Sequence, residues 1–251
     1  MAQQEQHGRV RVATLLLVVF MAAMAGGLWW LRTTRQPVGA GPLVEARQEA
    51  GSPPRSTTGA RPAQRVISLV PATTEMLFAV DAGPQVVGVG SYDHYPEAVA
   101  RLPRVGALVD PDVERVLSLE PDLVVTYGSQ EQLQRQLARA GIDALSYRHG
   151  GIGHALDTMR LLGARTGHSD VAMQATTRIS TALAAIRRRV AGRPRPRTLL
   201  VIAREPLTLR GIYVSAGRGF LHELLTLAGG DDVMADVPRE NVQATTETIL
   251  A

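Results

Sequence analysis

Between Arg65 and Tyr127 the chain repeats one pattern: a short β-branched run, then a stretch with helical spacing. The runs are Val66-Ile67-Ser68-Leu69-Val70, Val86-Val87-Gly88-Val89 and Leu123-Val124-Val125. Between them lie segments such as Thr74-Glu75-Met76-Leu77-Phe78-Ala79-Val80, with apolar residues three and four apart. Short apolar strands alternating with helices predict an α/β fold, a parallel sheet covered on both faces. Ligands of such sheets bind at the loops beyond the carboxyl ends of the strands. Three loops are singled out: Pro71-Ala72-Thr73-Thr74, Gly90-Ser91-Tyr92-Asp93 and Tyr127-Gly128-Ser129. Pro71, Thr73, Ser91 and Tyr92 are the ligand-binding candidates they supply.

The same stretch resembles the first lobe of the periplasmic substrate-binding proteins that serve ABC importers of cobalamin and iron-siderophores. The cobalamin-binding branch is the most similar. The residues that carry the likeness are VISLVPATTE, VGVGSYDHYP, LPRVGAL and DPDVERVLSLEPDLVV, in that order over about 60 residues. The resemblance implies two α/β lobes joined by one long helix. It implies no chemistry, a metal-chelate ligand (cobalamin first, a siderophore or haem second), and an ABC permease with its ATPase as partner. It also implies site residues. Tyr92, Leu108, Tyr213 and Asn241 fall where the cobalamin branch contacts its ligand, although the aromatic residues expected near Leu108 and Asn241 are absent. Glu114 and Glu247 fall where each lobe presents a glutamate to permease arginines. Each is also, on its own, an ordinary first-turn glutamate facing a helix dipole.

Charge and cysteine usage exclude several classes. All 27 basic residues are arginine, and the net charge is +4. Seven arginines and three glutamates fall in residues 1–63, so the whole excess lies there, and the remainder carries twenty of each sign. A nucleic-acid surface concentrates its basic charge on the folded domain, and none is expected here. The absence of cysteine excludes disulfides, thiolate metal sites and a cysteine nucleophile. No G-x-S-x-G, G-x-x-x-x-G-K-[ST] or H-E-x-x-H pattern occurs, which speaks against the competing class, an exported α/β hydrolase. The six histidines include His149 and His154, five apart across Gly150, Gly151 and Gly153. A bare metal ion needs three or four converging donors, so no metal site and no catalytic residue is assigned.

Taken in order, residues 1–11 form a polar tail. Residues 12–31, VATLLLVVFMAAMAGGLWWL, carry no charge and are long enough to span a bilayer. Two readings stay open, a retained signal-anchor helix or a signal peptide cleaved after Ala23-Met24-Ala25. Length favours the anchor, and both place the rest of the chain outside the cytoplasmic membrane, in the cell envelope. Residues 32–64, rich in Pro, Gly, Arg, Ser and Thr, read as a flexible tether. The first lobe is expected over 65–168, with helices near 130–140 and 153–162 and a strand near 143–147. A connecting helix is expected over 169–192, capped by Ser169 or Asp170, and a second lobe over 193–251. In that lobe Thr198–Ile202 reads as a strand, Leu207–Val214 as a hairpin or an irregular crossing, and Phe220–Leu227 as a helix. Thr245–Leu250 resembles Asp112–Leu117, which is followed by a strand, so the second lobe is expected to be incomplete at Ala251.

Overall fold

The computed structural model describes residues 61–245 except 129, 207 and 209, together with 247 and 249. The expected span at 12–31 and residues 32–60 of the tether lie outside the described residues, whereas residues 61–64, expected as tether, pack on the fold: Ala63 is buried and its N–H donates to the Arg165 carbonyl at 2.8 Å. Among the described residues, no helix is long and apolar enough to cross a membrane.

The first four strands make one parallel sheet. They are β1 (Val66–Ser68), β2 (Val86–Val89), β3 (Leu123–Tyr127) and β4 (Asp143–Tyr147), in the order β2-β1-β3-β4. Every residue of β1 is buried, as befits a central strand covered on both faces. On one face the cluster around Val66, Leu77, Val80, Leu123, Val125 and Leu162 is packed by α1 (Pro71–Ala79) and α4 (Ile152–Thr166). On the other, Ile67, Leu69, Val116, Val124, Leu133 and Leu137 meet α2 (Val113–Ser118) and α3 (Glu131–Arg139). Successive strand residues point to opposite faces, so Val66 and Ile67 feed different clusters.

Local chemistry sets the helix ends. Pro71 opens α1, where its missing N–H costs nothing. Asp112 caps α2, its carboxylate accepting the Arg115 N–H at 2.9 Å. Helix α4 stops at Gly167, whose φ of 83° is left-handed. Helix α5 (Ser169–Val190) then runs back along α4, and the two come close where Gly163 faces Ala172. A Cβ at Gly163 would stand 2.4 Å from that of Ala172, so the approach requires glycine. The cap of α5 falls on His168, not Ser169 or Asp170, and no side chain bonds the free N–H groups there. Arg187, Arg188 and Arg189 occupy its last turn, favourably placed against the dipole.

After α5 come β5 (Arg197–Thr198), β6 (Val201–Ala203), β7 (Ile212–Ser215), α6 (Gly219–Leu227), β8 (Asp231–Asp232) and β9 (Asn241–Ala244). The strand expected at Thr198–Ile202 divides into β5, which pairs with β8, and β6, which joins the order β6-β7-β9. This three-stranded sheet is antiparallel, a departure from the all-parallel expectation. For β6 and β7 the cause is their short connection, closed by the Glu205 N–H to Arg210 carbonyl bond at 3.0 Å. A connection that short returns the chain beside itself and cannot cross over to a parallel position. Of the expected 207–214 segment, residues 212–214 form the second strand of a hairpin with β6.

Candidate functional site

The loops past β1, β2, β3 and β4 all open on the same edge of the parallel sheet. Pro71 is partly exposed there. Thr73 is fully buried, its hydroxyl donating to the Val70 carbonyl at 2.9 Å and meeting Ser68 Oγ at 2.8 Å. It fixes the start of α1 from inside. Ser91 is exposed, with its N–H donating to the Gly106 carbonyl at 2.8 Å. Tyr92 is 45% exposed beside it. Leu108 is half-buried against the core, and its carbonyl accepts from Gln130 Nε2 at 2.6 Å. In the second sheet the register sets Ser215 opposite Asn241 and Tyr213 opposite Gln243. Tyr213 and Asn241 thus share one face, the other being closed by Ile212, Val214, Met234 and Ala244. Glu114 is exposed in the first turn of α2. Glu247 is exposed too, and bonds from its own backbone amide and the Thr245 hydroxyl hold its carboxyl below the usual range.

The densest chemistry at this edge lies on residues not assigned from the sequence. Strands β3 and β4 each end in tyrosine, and the register sets Tyr127 beside Tyr147. Their ring centroids are 6.4 Å apart. His149, just past β4, stands 5.3 Å from Tyr127 and 5.4 Å from Tyr147, edge-on to the latter at 87°. Its Nδ1 lies 3.3 Å from the Tyr147 hydroxyl. His154, in the first turn of α4, is 6.0 Å from the Tyr147 ring. Burial, then the neighbouring Tyr127 and Glu240, pushes the Tyr147 hydroxyl up to about 12. Burial and Glu240 raise Tyr127 as well. His149 as a residue is exposed, yet the surroundings of its ring desolvate it and lower its pKa, with a smaller push from His154, against the opposing pull of Glu240. Glu240 comes from the segment before β9, so a carboxylate of the second sheet's region faces these rings. The readable signal was the tyrosine closing two consecutive strands of the same sheet.

Two further contacts tie this edge together. Glu223 of α6 reaches the amino terminus of α4, its carboxylate accepting the Ile152 N–H at 2.6 Å. It fills the space where Gly151 lacks a side chain; a Cβ there would lie 1.9 Å from Glu223 Oε1. Beneath the Tyr92 loop, Asp93 is 1% exposed, its carboxylate set against Thr74 and the Gly90 backbone. Arg104 Nη1 instead clamps the loop backbone, donating to the Gly90 and Asp93 carbonyls at 3.0 and 2.6 Å. Glu75 approaches from α1 and also lines an apolar cavity between α1, α4, α5 and α6, with Ile152, Met159, Leu183 and Phe220. Burial, reinforced by Asp93, raises Glu75 to about 8. Burial raises Asp93 to about 6 in spite of Thr74, Arg104 and the Gly90 amide, which all favour its charged form. No group of three or more His, Asp or Glu side chains converges to hold a metal ion among the described residues.

A family profile described as periplasmic binding protein matches residues 66–251. Over 192 residues the chain is 34% identical to a vitamin B12-binding protein of Salmonella typhimurium, covering 75% of this chain and 69% of that protein. A vitamin B12-binding protein of Yersinia pestis is 32% identical over 182 residues, covering 72% and 63% of the two chains. Among solved structures, the periplasmic vitamin B12 binding protein of Vibrio cholerae matches with a TM-score of 0.63 and 25% identity, covering 75% of this chain and 73% of that one. The periplasmic heme binding protein of Vibrio cholerae matches with a TM-score of 0.66 at 18% identity, covering 74% and 72%, a likeness of fold alone.

Proposed function

The chain belongs to the periplasmic binding protein family, a non-enzymatic class of transport component, and from that premise we propose that it captures cobalamin for an ABC importer. The observation that carries the ligand is the 34% identity to a vitamin B12-binding protein over 192 residues. The residue inventory agrees with it. A flat macrocycle is gripped by aromatic side chains that also offer polar groups. Tyr92 and Tyr127 present these at the loop edge of the parallel sheet, with the buried Tyr147 behind Tyr127, and Tyr213 and Asn241 share a face of the other sheet.

In this reading residues 65–168 and 193–251 are two lobes, and the 22-residue helix α5 joins them. Pro71, Ser91, Tyr92 and Leu108 line the ligand cleft from the first lobe, and Tyr213 and Asn241 line it from the second. Thr73 acts from behind, by setting the first turn of α1. Glu114 and Glu247, both exposed, dock on arginines of the permease, which works with its ATPase. Residues 12–31 direct the rest of the chain to the outer face of the cytoplasmic membrane, as a retained anchor or as a signal peptide removed after Ala25. The second reading, a haem or siderophore receptor, is favoured by one observation: His149 and two tyrosines meet at the loop edge. Equilibrium dialysis of the purified full chain against cyanocobalamin, haemin and a ferric siderophore separates the readings. Cobalamin is expected to be retained most tightly. Retention of haemin or the siderophore alone would replace it, and retention of none would remove the function.

A further inference from the structure

Six arginines crowd the far end of the long helix: Arg187, Arg188, Arg189, Arg193, Arg195 and Arg197, all exposed. We propose that the carboxyl end of α5 and the loop after it form a surface for anionic lipid headgroups, by which the protein lies against the bilayer. The inference does not depend on which chelate is bound.

The sequence has no acidic residue between Asp170 and Glu205, so the charge here is of one sign. A helix dipole accounts for Arg187, Arg188 and Arg189 in the last turn of α5. It does not account for Arg193, Arg195 and Arg197, which lie past the helix. No ion pair among the described residues involves any of the six. The carboxylate that the strand register sets beside them is Asp231, opposite Arg197, while its neighbour Asp232 is engaged by His222. The arginines are also held in a fixed arrangement. Arg195 Nη2 donates to the Gly230 carbonyl at 2.7 Å, and the Arg193 N–H donates to the Val190 carbonyl at 3.1 Å. Val190 in turn packs on Gly229, where a Cβ would stand 3.0 Å from its own. Arg193 shares a groove with Val190, Pro194, Pro196, Leu225 and Ala228, an apolar floor beside the charge. Guanidinium groups over apolar surface suit an amphiphile with a phosphate head.

The chain itself points to a bilayer as the source of that phosphate. Residues 12–31 are long enough to span one. The fold begins beside the start of α5, where the Ala63 N–H meets the Arg165 carbonyl. Helix α5 is 22 residues long, about 33 Å, and residues 32–60 reach at most about 100 Å. The patch at the far end of α5 is therefore within reach of the membrane that residues 12–31 enter. One hydrophobic segment and one basic patch make the two signals of a stable membrane association. Glu114, on α2, lies across the parallel sheet from α4 and α5, so lipid contact leaves it uncovered.

The chain has no cysteine, so Ala191→Cys carries a single environment-sensitive dye within the patch, and Gln132→Cys on α3 carries the control. The full chain is reconstituted into vesicles of phosphatidylcholine alone, or of phosphatidylcholine mixed with phosphatidylglycerol. Emission from position 191 should shift to the blue only with phosphatidylglycerol, and emission from position 132 should not. The shift should fall away between about 0.1 and about 1 M salt, where the screening length drops from about 10 to about 3 Å. Changing Arg187, Arg188, Arg189, Arg193 and Arg197 to glutamine should abolish it. Changing the same five to lysine should keep most of it, because the attraction is largely one of charge. Arg195 stays in place because it holds the loop. Should the glutamine variant fail to fold by circular dichroism, the Arg193→Gln, Arg197→Gln pair decides: it should need several-fold more phosphatidylglycerol for the same shift. An equal shift in pure phosphatidylcholine, at both dye positions, or in the glutamine variants would overturn the proposal. So would the same shift in phosphatidylcholine vesicles on adding a short DNA duplex at matched phosphate, which would make the patch a general polyanion surface.

Discussion

Tyr92 leaves nearly half its surface open, so a stacked ligand has a ring to cover. Tyr92→Ala should weaken ligand binding by roughly 1–2 kcal/mol, measured by calorimetric titration. An unchanged isotherm would take Tyr92 out of the cleft. Glu75 and Asp93 make a different single-residue case. Both folded carboxyls lie above their ordinary values of 4.5 and 3.8, at about 8 and about 6. The folded state therefore holds protons that the unfolded chain releases. The stability from this pair is fully present below about pH 4, and is lost as pH rises through 6 and then 8. Glu75→Gln removes the charge at its source. It should raise the melting temperature by a few degrees at pH 9, and by much less at pH 5. Equal shifts at both pH values would show that the carboxyl does not titrate in that range. Sequence spacing could not reveal this pair, because Glu75 reads as the polar position of an amphipathic helix. Only the fold brings a second carboxylate against it.

At the scale of elements, the junction between α4 and α6 is held by one carboxylate at a helix amino terminus. Glu223→Ala should cost about 1–2 kcal/mol, the range of a capping interaction reinforced by the dipole. The Ile152 amide should then exchange faster in a hydrogen-exchange experiment. Gly151→Ala should do much the same, since its Cβ drives the Glu223 side chain away. An unaltered Ile152 exchange rate in both variants would mean that the junction is held elsewhere. The elements themselves were largely readable. The three β-branched runs became β1, β2 and β3, and the 169–192 segment became the helix Ser169–Val190. The misreadings have physical causes. β1 stops at Ser68 because Val70 must already accept the first N–H bonds of α1, from Thr73 and Thr74. Thr198–Ile202 is apolar enough for one strand, but its two ends pair with different sheets. Which loop side chains meet at the sheet edge was the least legible part. Tyr127 and Tyr147 are twenty positions apart, and only the strand register sets them side by side.

For the whole molecule the decisive question is the partner. Charge reversal of Glu114 and Glu247 to lysine should leave ligand affinity unchanged and reduce import in cells carrying the complete transporter. Each exposed pair is worth only about 1 kcal/mol, so the double variant should be more impaired than either single one. Normal import by the double variant would return both residues to ordinary helix-end glutamates. The sheet order has a kinetic side as well. The central strand β1 is the first to be synthesised, and its partners follow about 20 and about 57 residues later. A nascent chain that has reached only Val89 carries an apolar strand with one backbone edge unpaired. That edge stays open until Leu123–Tyr127 arrives. During synthesis it is the surface on which misassociation would begin, and the one a chaperone would shield.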